Sequence, residues 1–350
     1  MSLKKVALRY DAWPEIGLGH LRRGYSLALE LTSRNIDYYH VVPERTVPIL
    51  LRDGIAESQI IVCEPLNVDW LRSRPDISHV ITDFHWHGNA PSASAEASLI
   101  ASTGVCVTVI DCIAPDDYID QFPAPNAVIT PYLNAGNLRN SPPKNTIWKN
   151  GARYSILSPE YKTWRAQSET SASGRILITC GGSDPDAFSI DSVTALLPLE
   201  TPLDVVVGPL FSNQIKAELA DLQKAFPQIT LHDAPKSLAP LIARSACVVG
   251  RLGLIRYEAA CLGKNGIFLS AGTAYREYLN GFKAQGFAEI FLDGDPNGRS
   301  NYLNRLRDLS NPKLRKIVFE PNATAKELVD GNGAANVIDL IMSLPAGKLQ

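Results

Sequence analysis

The chain has 350 residues, 45% of them apolar and 20% charged, with a formal net charge of −2. That length exceeds one ordinary core and predicts two domains. The near-neutral balance gives no electrostatic footprint for nucleic acid or an anionic membrane surface, so a small anionic ligand has to be held by local geometry.

In chain order, Lys4 to Tyr10 reads as a first buried strand ending at Asp11. The segment Ile16 to Arg23, Ile-Gly-Leu-Gly-His-Leu-Arg-Arg, then turns into a helix predicted over Leu21 to Ser33. Gly17 and Gly19 allow a tight turn and close backbone approach, and the free amides of a helix start favour an anion. The same partial positive charge disfavours an imidazolium, so His20 is expected to be a neutral, proton-accepting ring, the form a general base needs.

Strands follow at Ile36 to Val42, Gln59 to Cys63, His79 to Thr82, Val105 to Ile110 and Ala127 to Thr130, with helices at Val47 to Arg52 and Ser92 to Ser102. Such alternation predicts a parallel sheet with right-handed crossovers. Asp83, His85 and His87 alternate, so a continued strand would point all three to one face. Loop residues facing a sugar are the expectation there, and no metal site is expected because a fourth ligand is lacking. Asp11 and Asp111 end strands on the ligand side, where either can also cap a turn. His40, His79 and His232 fall within strand-like runs and are expected to be core or edge residues with satisfied nitrogens.

The polar stretch Gln167 to Gly174 has little to bury and is read as the linker between an N-terminal domain, 1–166, and a C-terminal domain, 175–350. Beyond it come strands at Arg175 to Cys180, Leu203 to Val207, Ile229 to His232, Cys247 to Val249, Gly266 to Ser270 and Glu289 to Leu292. Helices are predicted at Phe188 to Leu196, Gln214 to Phe226 and Ala335 to Leu344. The turn Gly181-Gly182-Ser183-Asp184-Pro185 is a second anion-type turn, in which Ser183 can cap the helix or donate to a phosphate oxygen. Neither turn is a P-loop or a complete Gly-x-Gly-x-x-Gly fingerprint, which disfavours ATP hydrolysis and nicotinamide dinucleotides; no cofactor is expected. In Gly250 to Glu258, Arg251 and Arg256 can reach a diphosphate and Glu258 can accept from a ribose diol. The plainer reading pairs Glu258 with Arg256 or a neighbouring helix. The expected architecture is therefore α/β, two Rossmann-like doubly wound domains facing a cleft.

Six cysteines, at 63, 106, 112, 180, 247 and 261, include no Cys-x-x-Cys pair and read as reduced core residues. No apolar run reaches the ~20 residues of a membrane span, and Met1 to Val6 lacks the features of a signal peptide, so a cytoplasmic protein is expected.

Taken together, Arg9-x-Asp11-Ala12, Ile16-Gly17-x-Gly19-His20-x-x-Arg23, Gly181-Gly182-Ser183-Asp184-Pro185 and Tyr257-Glu258-Ala259-x-x-x-Gly263 resemble the UDP-diacetamido-trideoxyaltrose hydrolases of pseudaminic acid synthesis. Those are similar in turn to the lipid II N-acetylglucosaminyltransferase group with the GT-B fold. The resemblance spans nearly the whole chain and implies UDP-sugar binding, with His20 activating water to displace UDP from the anomeric carbon. It implies that the turns at 17–19 and 181–183 face sugar and diphosphate, that backbone around Lys236 to Leu238 holds uracil, and that Glu258 holds ribose. Leu252-Gly253-Leu254 stands where the family has a Gly-Gly-Ser-like turn, His85 where it has a tyrosine, and Tyr275 where it has a glutamine. These departures leave the diphosphate grip and the sugar open. The leading expectation is a UDP-sugar hydrolase; an inverting glycosyltransferase with the same base, or a nucleotide-sugar-binding protein without catalysis, are the alternatives.

Overall fold

A computed structural model of the chain describes residues 5–13, 17–63, 68–84, 90–110, 124–133, 146–167, 174–270, 279, 282 and 284–345. The chain forms two compact units, 1–159 with 331–350, and 160–330. The helix Glu160–Gln167 thus belongs with the second unit and the last helix, Gly333–Ser343, with the first. This division differs from the expected one, because packing of distant segments, which local composition does not encode, decides membership.

The first unit holds a seven-stranded sheet in the order β3-β2-β1-β4-β5-β6-β7. Its strands are β1 (Lys5–Tyr10), β2 (Asp37–Val42), β3 (Ile60–Val62), β4 (Ile77–Asp83), β5 (Cys106–Ile110), β6 (Ala127–Thr130) and β7 (Ile147–Asn150). All neighbours pair in parallel. The central strands are buried almost throughout because helices cover a parallel sheet on both faces. On one face Ala7, Val41, Val80, Phe84 and Val107 pack with Ala97 and Ile100 of a helix at Ala90–Ala101.

On the other face lies α1 (Gly19–Ser33), whose buried positions His20, Leu21, Arg23, Gly24, Leu27, Ala28 and Leu31 recur at spacings of three and four. Gly24 sits mid-helix, where glycine costs about 1 kcal/mol relative to alanine. A Cβ there would stand 2.6 Å from Tyr10 Cε1, so its absence lets α1 lie close on β1 and bring its first turn over the strand ends. The last helix packs against α1, with Arg34 Nη1 2.6 Å from Asp339 Oδ1.

The second unit holds a six-stranded parallel sheet, β10-β9-β8-β11-β12-β13. Its strands are β8 (Ile176–Thr179), β9 (Leu203–Val207), β10 (Ile229–Asp233), β11 (Cys247–Arg251), β12 (Asn265–Ser270) and β13 (Glu289–Leu292). Helices at Phe188–Leu196 and Gly298–Arg307 close one core with Phe188, Val193, Val205, Val249, Tyr302 and Leu306. Gly250, at φ +137°, permits a close backbone approach in this sheet: a Cβ there would stand 2.0 Å from the Thr179 carbonyl oxygen.

Near the amino end of β9 the fully buried Asp204 accepts from Arg175 Nε at 2.7 Å and Arg244 Nη2 at 2.9 Å, with His232 Nε2 at 2.7 Å. Burial favours a protonated Asp204, yet Arg175, His232 and Arg244 hold it below the usual carboxylate range. His232 therefore has a partner. His40 and His79 depart from expectation: Nδ1 of each contacts Tyr10 Oη (2.9 Å) and Ser78 Oγ (3.1 Å) respectively, while Nε2 of each is buried without one. Burial brings both rings down to about 4, so they stay neutral in the fold. The described cysteines Cys106, Cys180, Cys247 and Cys261 are free and buried, and Cys63 is partly buried. Among the described residues no helix is long and apolar enough to cross a membrane.

Candidate functional site

In an open parallel sheet, ligands bind outside the carboxyl ends of the strands where strand order reverses. In the first sheet that point lies between β1 and β4, where Tyr10 is in register with Asp83 and the Asp11 amide reaches the Asp83 carbonyl at 3.4 Å. His20, in the first turn of α1, stands at the same place: its Nδ1 lies 2.8 Å from Asp83 Oδ1, and the two side chains are almost wholly buried. Arg23, one turn further on, donates through Nε to Asp83 Oδ2 (2.7 Å) and through Nη2 to Oδ1 (2.8 Å).

The chemistry of these groups fixes the protons. An ionised carboxylate only accepts, so Nδ1 of His20 donates to Asp83, and in the neutral ring the lone pair is on Nε2. Arg23 Nη2, 2.9 Å from Nδ1, is a second donor meeting the same oxygen, not a partner of the ring. Burial pushes the Asp83 carboxyl up, but Arg23 and His20 outweigh it and hold the group well below the usual carboxylate range. Arg23 grips both oxygens, which keeps Asp83 from rotating away from the ring. Sequence reasoning placed Asp83 among loop residues facing a sugar; its pairing with His20 and the role of Arg23 span 63 and 60 residues and are visible only in the fold.

Around the strand tip, Asp11 Oδ1 accepts from Arg9 Nη1 at 2.8 Å, and Arg9 Nε donates to Glu96 Oε1 at 2.8 Å. Asp11 is thereby held against the buried Arg9 near the dyad, and the other partner of Arg9, Glu96, is supplied by the helix Ala90–Ala101. Gly17 has φ +82°, a left-handed conformation suited to glycine, and nothing among the described residues stands within 4 Å of a Cβ at Gly17 or Gly19. β4 ends at Asp83, and His85, His87, Asp111 and Tyr275 lie outside the described residues. Among the described residues no group of three or more His, Cys, Asp or Glu side chains is placed to hold a metal ion.

In the second sheet the strand order reverses between β8 and β11, the strands followed by Gly181 to Ser183 and ending at Arg251. Gly181 has φ +84°, and the Gly182 carbonyl accepts from the Leu210 amide at 2.9 Å. The following helix is capped by Asp184, whose carboxylate accepts from the amides of Phe188 (3.0 Å) and Ser189 (2.9 Å) and from Ser189 Oγ. Those two amides are thus engaged with Asp184 and are not offered to a ligand.

Arg251 stands 5.9 Å above the Phe188 ring, and Arg256 turns back to the Gly253 carbonyl. No atom of the described residues stands within 4 Å of a Cβ at Gly253, leaving that turn open. Glu258, in the helix Ile255–Cys261, accepts from the buried hydroxyl of Tyr161 at 2.8 Å. Sequence reasoning did not find Tyr161, which lies in an unremarked helix almost a hundred residues away. Leu238 begins the helix Ala239–Arg244, with Ser237 Oγ accepting from the Ala239 amide at 3.1 Å, and Lys236 is exposed.

No family model matches the chain. An uncharacterised protein of Methanocaldococcus jannaschii is 25% identical over 291 residues, 78% of this chain, which spans only 57% of that relative. Among solved structures, MurG of Acinetobacter baumannii aligns over 97% of this chain and 100% of its own, with TM-score 0.61 and 17% identity. A UDP-GlcNAc 2-epimerase of Neisseria meningitidis, solved with UDP-GlcNAc, aligns over 97% and 100%, with TM-score 0.58 and 14% identity. A UDP-glucose:anthocyanidin 3-O-glucosyltransferase in complex with UDP aligns over 98% and 100%, with TM-score 0.60 and 11% identity. The chain has the GT-B fold of two Rossmann-like parallel-sheet units. Its structural neighbours are enzymes that act on UDP-sugars.

Proposed function

We propose that this protein is a nucleotide-sugar hydrolase that releases UDP from a UDP-linked amino or deoxy sugar. The observation that carries the reading is the His20–Asp83 pair at the strand-order reversal of the first sheet, whose Nδ1 contact with the carboxylate puts the lone pair of a neutral ring on Nε2. In the reaction Nε2 takes a proton from water, the water oxygen attacks the anomeric carbon, and the bond from that carbon to the diphosphate oxygen breaks with its electron pair leaving on UDP. Asp83 stabilises the imidazolium as it forms, which is where an oriented buried carboxylate acts most strongly.

The second unit takes the nucleotide in this reading. Glu258, steadied by Tyr161, receives the ribose hydroxyls, and backbone at Leu238 receives the base. The turns at Gly181, Gly182, Ser183 and Gly253, with Arg251, receive the diphosphate. The sequence motifs that resemble the UDP-diacetamido-trideoxyaltrose hydrolases support the choice of water as nucleophile.

The test is turnover of a panel of UDP-sugars by the wild type and by His20→Ala and His20→Asn. Both variants are expected to lose roughly 10² to 10⁴ in kcat with UDP affinity nearly unchanged. Wild-type activity in either variant removes His20 from the mechanism. A glycosyltransferase with the same base is the second reading, favoured by the fold shared with the anthocyanidin glucosyltransferase. Candidate hydroxyl acceptors added to the assay separate the two: glycoside in place of free sugar establishes the transferase. UDP-sugar binding with no bond cleavage under any condition establishes a binding protein.

A further inference from the structure

The loop that leads from β1 to His20 carries an aromatic side chain that the proposed reaction does not use. Trp13 follows Asp11 and Ala12 directly and is half-buried. Its carbonyl accepts from the Gly17 amide at 3.0 Å, closing the loop as an isolated antiparallel bridge. The Arg45 guanidinium lies 3.4 Å from the centre of the indole ring, and Thr46 Oγ1 donates to the Ala12 carbonyl at 2.6 Å. Arg45 and Thr46 belong to the short turn Glu44–Thr46 that leaves β2. The carboxyl ends of two adjacent strands are therefore tied together around one indole, in the loop that leads to the helix bearing the candidate base.

We propose that Trp13, pinned by Arg45, is the surface on which the sugar ring of the nucleotide sugar stacks. The inference rests on the nucleotide-sugar reading and specifies what its first unit recognises. A pyranose presents a face of C–H groups, and an aromatic ring is a large apolar surface with a defined geometry for such contacts. Loss of the C6 hydroxyl and addition of acetamido methyl groups enlarge the apolar part of the ligand, so the arrangement suits an amino or deoxy sugar better than a fully hydroxylated hexose. Because Arg45 and the loop bridge already hold the indole, binding costs little further side-chain ordering.

The experiment is calorimetric titration of the wild type, Trp13→Ala, Trp13→Phe, Trp13→Leu and Arg45→Ala with three probes: UDP, UDP-N-acetylglucosamine and a UDP-diacetamido-trideoxy sugar. Trp13→Ala and Trp13→Leu are expected to weaken the sugar nucleotide that the wild type prefers by about tenfold, with UDP affinity changed less than about twofold. Trp13→Phe restores most of the loss because it keeps a ring, and Arg45→Ala lies between. Unchanged sugar-nucleotide affinity in a folded Trp13→Ala or Trp13→Leu protein overturns the platform while leaving the nucleotide-sugar reading standing. Equal losses for UDP and its sugar conjugates also overturn it, since the ring would then be meeting the nucleotide. A wild type that binds none of the three probes removes the nucleotide-sugar reading, and the platform with it.

Discussion

Replacing Asp83 by asparagine changes one oxygen to an amide nitrogen and leaves the shape nearly intact, so its effects report on charge and proton placement. In the native protein this carboxylate, 3% exposed, accepts from Arg23 Nε, Arg23 Nη2 and His20 Nδ1 at 2.7 to 2.8 Å. The amide turns one acceptor into a donor that faces another donor, and it leaves the Arg23 guanidinium, 6% exposed, without its countercharge. Breaking a buried ion pair from one side costs about 3 to 5 kcal/mol. In a unit of this size each kcal/mol moves the midpoint by roughly 2 to 4 °C, so a Tm loss of at least about 6 °C is expected for the first unit. The same change frees His20 to carry its proton on Nε2, the wrong nitrogen for a base, and kcat is expected to fall by about 10² or more.

The matched control is Asp204→Asn. Asp204 is as buried and meets arginines and a histidine, but it sits near the amino end of its strand, away from the ligand end. It should lower the melting temperature of the second unit and leave kcat within about twofold. Asp83 also carries a pH signature. Its depressed native value contributes stability that is present above the unfolded carboxylate value of 3.8 and is lost as pH falls through the native value, and Asp83→Asn removes that contribution. Differential scanning calorimetry with parallel rate measurements reads all of this. If Asp83→Asn melts and turns over like the wild type, the buried dyad is not what holds or activates His20.

Three further outcomes follow from geometry. His40 and His79 are neutral in the fold at about 4, whereas an unfolded histidine protonates near 6.5; their stability contribution is complete above pH 6.5 and is lost as pH falls from there towards 4, on the order of 3 kcal/mol each at most. Calorimetry across that range should show an acid loss of Tm that His40→Gln or His79→Gln flattens, and identical slopes in the variants would contradict the assignment. Gly250→Ala puts a Cβ 2.0 Å from the Thr179 carbonyl at a φ of +137°, so the second unit should lose more than about 3 kcal/mol, read as a collapsed or absent melting transition. Glu258→Gln should weaken UDP binding by about tenfold while Tyr161→Phe weakens it less, measured by titration; a Glu258 variant that binds UDP like the wild type takes the ribose role away from that residue.

Much of the scaffold was legible because buried parallel strands announce themselves as β-branched runs: the bounds read for the strands at Ala127, Leu203 and Glu289 are those of β6, β9 and β13. β7 was missed because Ile147-Trp148-Lys149-Asn150 is a half-exposed edge pairing only with β6, so neither an apolar run nor alternation marks it. The glycine turns were legible from local chemistry, but the groups that share hydrogen bonds there were not. Asp184 shows how close the reading came: a helix cap was expected in Gly-Gly-Ser-Asp-Pro, and the residue after the serine makes it, through an αL residue at Ala187 that no composition rule specifies. Glu96 and Tyr161 lie in helices without any motif, and only the packing of the helix Ala90–Ala101 on the first sheet and of two helices in the second unit brings them to their partners.

The helix Gly333–Ser343 is the final described helix and yet it backs the one that bears His20. A ribosome emits the second unit as an uninterrupted stretch, free to consolidate while the first still lacks a wall. The first unit accordingly closes only after the second has been made, and a gene fragment stopped at Pro159 would encode a sheet whose helix α1 has solvent where a neighbour belongs.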